Sequence, residues 1–176
     1  MKKFIFIMVG SISIAIILGI VAFFTYKSLS KDSVQIQETT SQNVVDGEKV
    51  IEIIETDGEP VEEELPMDMS EEAIKDAIHG MSHQKVRAEE KWGFIPLTAE
   101  RVKRLKTIVE KNRDKYEYAS IYLDILERWG NNDFSQVDHD HNQIWDLQNG
   151  TIGKATGILS TEEEKAFIEE HFDIEQ

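Results

Sequence analysis

The chain contains no cysteine. Disulfides, thiolate zinc ligands and cysteine nucleophiles are excluded together. A chain without disulfides is compatible with either side of a membrane, so compartment stays open on this ground. Cations are also scarce: 19 Lys and Arg stand against 34 Asp and Glu, for a net charge of -15. A nucleic-acid binder needs a cationic surface to displace condensed counterions, so that class is excluded as a partner. The third shortage is local. Residues 4–26 hold no charged side chain at all.

That run of 23 residues, at about 1.5 Å each, matches the roughly 30 Å hydrocarbon core of a bilayer. Lys2 and Lys3 precede it, and Phe23, Phe24, Tyr26 and Lys27 close it in the manner of an interfacial belt. A cleaved signal peptide has a shorter apolar core and a small-x-small cleavage site, which Ala22-Phe23-Phe24-Thr25-Tyr26 does not offer. Residues 1–27 are therefore expected to be an uncleaved transmembrane anchor in the cell membrane, with the lipid bilayer as its partner. The short basic N-terminal tail places the N-terminus in the cytoplasm and the bulk of the chain outside.

Residues 28–69 change character. Twelve acidic residues face only Lys31 and Lys49, a net charge of -10. Up to Asn43 the segment is rich in Ser, Thr and Gln, which bury too little apolar surface to offset conformational entropy. Val44, Val45, Val50, Ile51, Ile53 and Ile54 around Asp46-Gly47 give local strand and hairpin character. An isolated hairpin is marginal in water. This region is expected to be a disordered acidic stalk.

Helix signals repeat over residues 70–176. Ser70 caps a first helix carrying Ala73, Ile74, Ala77, Ile78 and Met81. Thr98 caps a second, with Val102, Leu105, Ile108 and Val109. Tyr118, Ile121, Tyr122, Ile125, Leu126 and Trp129 form the clearest apolar stripe, which Gly130 ends. Ser135 with Asp138 has the form of a capping box for a fourth helix bearing Val137, His141, Ile144, Trp145 and Gln148. Ser160, followed by Glu162, Glu163 and Glu164, opens a fifth. The fold class expected is mainly α: a globular domain of about five helices.

Histidine carries the sharpest chemical signal. His79 and His83 are four residues apart on one helix face, the spacing at which two imidazoles share a metal. Asp138-His139-Asp140-His141-Asn142 offers a third ligand from Asp138, His139 or His141. Gly80 follows His79 where a zincin has its glutamate, so that motif's general base is missing. His141 also lies on an apolar stripe, where a hydrogen-bonded core role competes with ligation. Seven Lys and Arg between Arg101 and Lys115 ring several sides of one helix and are expected to be solvated. The glycines from Gly150 to Gly157 are not a phosphate loop, because Ala155 follows Lys154 where Ser or Thr is required. Gly80-Met81-Ser82-His83-Gln84 lacks the second glycine of a nucleophile elbow.

The segments Met81-Ser82-His83-Gln84-Lys85-Val86, Lys91-Trp92-Gly93, Ile125-Leu126-Glu127-Arg128-Trp129 and His141-Asn142-Gln143-Ile144-Trp145, with Gly150, Gly153 and Ala155, occur in that order. Together they resemble a domain-of-unknown-function family of small membrane-anchored proteins from Bacillus-type Gram-positive bacteria. The resemblance covers about residues 70 to 172. It implies an anchored helical domain with no assigned activity, and it places His83 and His141-Asn142 at family-like positions, with His79 and His139 outside them.

Two functions follow as expectations. The first is a membrane-tethered, extracytoplasmic, non-enzymatic interaction or regulatory domain without cofactor. It would meet a protein or cell-envelope partner through His83, His141, Asn142, Trp92 and Trp145. The second is a zinc or manganese domain, in the hydrolase direction, with ligands from His79, His83, His141 and Asp138.

Overall fold

The structure is a computed structural model that describes residues 32–40, 49–56 and 60–175. The expected anchor over residues 1–27 lies outside them. Among the described residues no helix is long and apolar enough to cross a membrane.

The described residues form one unit, built on two apolar clusters. In the first, four helices meet: α2 (Glu71–Ser82), α3 (Ala99–Lys111), α4 (Ala119–Gly130) and α5 (Val137–Leu147). Ile74, Ile78, Leu105, Ile108, Ile125 and Ile144 are fully buried there, around Tyr122 and Trp129. These are the positions the 3.6-residue periodicity selects. The Ser70 hydroxyl accepts from Ala73 N and the Thr98 hydroxyl from Arg101 N, as the sequence anticipates. α4 has no cap of its own. The Glu71 carboxylate supplies one from α2, accepting from Glu117 N, Tyr118 N and the Tyr122 hydroxyl.

The start of α5 corrects the expected capping box. α5 begins at Val137 with no side-chain cap, because the Ser135 hydroxyl donates to Asp133 Oδ1 at 2.6 Å instead. A local Asx-type turn has taken the capping group.

The second cluster corrects the expected disordered stalk. Ser33–Thr40 (β1) and Lys49–Glu55 (β2) pair antiparallel, with Ile36 opposite Ile53 and Val34 opposite Glu55. Val34, Ile51 and Ile53 are buried against Phe167, Ile168 and Phe172, which belong to or follow α6 (Thr161–His171). The hairpin is stable because that amphipathic helix covers its apolar face. The two-residue strand β5 (Asp173–Ile174) then joins β1 in parallel. A short helix α1 (Val61–Glu64) and a second small sheet, β3 (Val86–Arg87) with β4 (Gly157–Ile158), complete the fold. Among the described residues the architecture is six helices with strands, where about five helices and a disordered acidic stalk are expected from sequence.

A buried polar bolt joins the two clusters. Lys85 Nζ lies 2.6 Å from Glu164 Oε1 and donates to the Ile51 carbonyl at 2.9 Å. Gln84 donates to the same Glu164 oxygen at 2.8 Å.

A candidate three-histidine metal centre

α2 and α5 pack side by side, and each brings imidazole to their contact. His79 lies in the last full turn of α2, His83 caps its C-terminus, and His141 sits in the first half of α5. The ring centroids are 4.7 Å apart for His79 and His83, 4.5 Å for His79 and His141, and 5.5 Å for His83 and His141. One ligand atom from each of the three lies within 4.8 Å of those of the other two. His83 and His141 are 3% and 0% exposed.

The orientation of each ring is set by an oxygen at Nδ1. His83 Nδ1 is 2.7 Å from the Gly93 carbonyl, which can only accept, so Nδ1 carries the proton. Gly93 has φ +78, a left-handed conformation that glycine adopts without a Cβ penalty. His79 Nδ1 is 2.5 Å from Gln148 Oε1. The Gln148 amide is itself fixed by donating to Asp76 Oδ1 at 2.7 Å. His141 Nδ1 is 3.2 Å from Asn142 Oδ1. Asn142 is locked by two bonds to Ala155, donating to its carbonyl and accepting from its N–H. All three Nδ1 atoms are therefore donors, and all three Nε2 atoms carry lone pairs.

His79 Nε2 and His141 Nε2 are 3.0 Å apart, and both are acceptors. Two lone pairs at that separation repel unless a proton or a metal ion lies between them. A proton is disfavoured. Burial pushes the His83 imidazolium down to about 3 and His141 to about 4, with the neighbouring histidines adding to the effect. Burial also lowers His79, against the opposing pull of Gln148 and Asp76.

The acid behaviour follows with a definite sign. A histidine whose folded pKa is lowered contributes stability above its unfolded value near 6.5, and that contribution is lost as pH falls toward about 4 and about 3. Two such groups give a slope of up to about 2.7 kcal/mol per pH unit. Buried Asp140 and Glu164 have raised carboxyls and run in the opposite direction. Urea unfolding of metal-free protein is expected to show stability falling from pH 6 to pH 5, before ordinary carboxylates titrate. A double His83→Ala, His141→Ala variant should show a flatter profile over that window. Equal slopes would contradict the burial of neutral rings.

The remaining sequence candidates are placed elsewhere. Asp138 is outside the cluster, and its Oδ1 accepts from the adjacent His139 N–H. His139 is exposed. It lines an open polar cavity with Arg128, Asp140, Asn142 and Lys154, to which none of the three clustered histidines contributes. Trp145 Nε1 donates to the Ile152 carbonyl, and its ring packs so closely over Gly150 that a Cβ there would overlap it. Trp92 is 68% exposed. Gln148, Asp76 and the Gly93 carbonyl are part of the site without any sequence motif announcing them. Gln148 alone left a trace, two helical turns beyond His141 on the same face.

The class defined by this fold and site is a helical domain with a buried histidine centre at a helix–helix contact. The chain belongs to a family of unknown function, DUF6241, whose model matches residues 78–169. All three histidines, Gly93, Asn142 and Gln148 fall inside that range, and the hairpin falls outside it. No curated protein and no solved structure matches the chain.

Proposed function

We propose that this chain is a metal-binding domain in which His79, His83 and His141 hold one divalent transition-metal ion through their Nε2 atoms. The observation that carries this reading is the pair of acceptor nitrogens at 3.0 Å, each with its Nδ1 proton committed elsewhere. In a tetrahedral zinc site with bonds of about 2.0–2.1 Å, neighbouring ligand nitrogens are about 3.3 Å apart. Oxygen acceptors at the far nitrogen of each ring are the usual outer support of such ligands. The donor set is all imidazole, which suits zinc, copper or nickel. It suits manganese poorly, because that ion prefers carboxylate and water.

The domain is further proposed to be tethered to the cell membrane by the uncharged run at residues 4–26 and to face the extracytoplasmic side. The interaction reading keeps one specific support, the indole of Trp92 at 68% exposure on the loop that supplies the Gly93 carbonyl. A protein or cell-envelope partner would meet that loop.

The test is metal content. Full-length chain without a histidine tag, purified in detergent, is expected to retain close to one zinc per chain by elemental mass spectrometry. The metal-free chain should regain it on titration. A folded chain that refuses zinc, copper and nickel at micromolar concentration would end the metal reading.

A further inference from the structure

Among the described residues, the group able to hold a metal consists of three histidines and no carboxylate. All three rings are neutral donors. A divalent ion bound to them would keep its full double charge beside the buried His83 and His141 rings, and an uncompensated buried charge is costly. The carboxylate that joins this hydrogen-bond network, Asp76, is spent at the outer side of Gln148.

A cation, itself in the field of the Glu170 carboxylate, lies beside the histidines. Lys91 Nζ donates to the His83 carbonyl at 2.9 Å and to the Val86 carbonyl at 2.8 Å. It lies 4.1 Å from the centre of the Phe167 ring, and its charge bears on both the His83 and His141 imidazoles. Zinc with three protein ligands keeps a fourth position for a group from solution.

We infer that the fourth position of this metal is taken by a small anion from outside the chain, hydroxide or an inorganic or carboxylate anion, with the Lys91 ammonium as its second electrostatic partner. The inference rests on the metal reading above. It adds a ligand class and a positioning residue that neither the histidine spacing nor the family match supplies. The anion supplies negative charge to a centre that has none, and Lys91 favours it over neutral water. Such a centre has the open coordination of a reactive site, where a three-histidine site closed by a fourth side chain would be structural.

Cobalt substitution tests this separately from metal binding. Full-length protein in detergent is loaded with Co(II), and its visible absorption bands are followed during titration with azide at fixed pH. A saturable change in the bands at one azide per cobalt is expected. In Lys91→Gln, cobalt should still bind, and the azide affinity should fall about 10-fold, as the loss of one nearby charge implies. Stoichiometric cobalt with bands unmoved by about 100 mM azide, far above ordinary anion affinities, would overturn the open position and leave the metal reading intact. Azide binding unchanged in Lys91→Gln would overturn the role of Lys91. Failure to bind cobalt at all would remove both readings. If Lys91→Gln does not fold, the wild-type titration still decides the open position.

Discussion

Replacing His141 by alanine is expected to weaken zinc binding by at least about 100-fold, because a ligand costs more than its outer support, and loss of outer support alone costs about 10–100-fold. The readout is the zinc-induced rise in unfolding temperature. Ligand that binds only the folded state stabilises it in proportion to the logarithm of its concentration over Kd. That rise should be large in the wild type and absent in His141→Ala. Gln148→Ala should fall between them, because it frees the His79 ring without removing it. His139→Ala should behave as wild type, since His139 is exposed and outside the cluster. The ordering is the informative part. A general destabilisation by core damage would lower the starting temperature of His141→Ala yet leave a zinc-induced rise. Equal loss in His139→Ala and His141→Ala would point to adventitious surface histidines.

The helices of this domain are legible because their apolar stripes repeat every 3.6 residues and Ser70, Thr98 and Ser160 sit where caps belong. The hairpin is not legible as a stable element. Ser33–Thr40 offers only Val34 and Ile36 as apolar residues at period two, a weak signal in a polar stretch. What stabilises it is Phe167, Ile168 and Phe172, more than a hundred residues later, and no local pattern encodes such a contact. The site divides in the same way. The spacing of His79 and His83 follows from one helix, so it can be read directly. The choice of His141 over Asp138 and His139 depends on how α5 is rotated against α2. His141 lies on the apolar stripe beside Ile144 and is buried with it, and burial brings it to the helix contact. The position that argued for a core role in sequence is the one that makes it a candidate ligand. Residues 81–86 carry a second clue. All six are buried, although Ser82, His83, Gln84 and Lys85 are polar. A buried polar run requires partners, and each has one: the His79 carbonyl, the Gly93 carbonyl, Glu164 and the Ile51 carbonyl.

Lys85→Met is expected to cost about 3–5 kcal/mol of folding stability, since removing one partner of a buried ion pair strands the other charge. The side chains of Lys85 and Glu164 are 4% and 8% exposed. Burial pushes the Glu164 carboxyl up and the Lys85 ammonium down, and the attraction between them opposes both shifts. Glu164→Leu should cost a similar amount. The double variant should recover part of the loss but not all of it. Gln84 would still lack its acceptor and Ile51 its donor, at about 1–3 kcal/mol for each buried group left unsatisfied. Urea unfolding of the two single variants and the double variant gives the coupling energy directly. The pair Arg87–Glu163 is the internal control. It is 51% and 45% exposed, and a surface pair of that kind contributes about 0–1 kcal/mol. If Lys85→Met cost no more than Arg87→Met, the hairpin would not be fastened to the helical cluster through this residue. A large cost has a functional reach, because Gln84 and Lys85 directly follow the proposed ligand His83 and precede β3. The hydrogen bonds that fasten the hairpin thus also fix the end of α2 from which His83 meets His141.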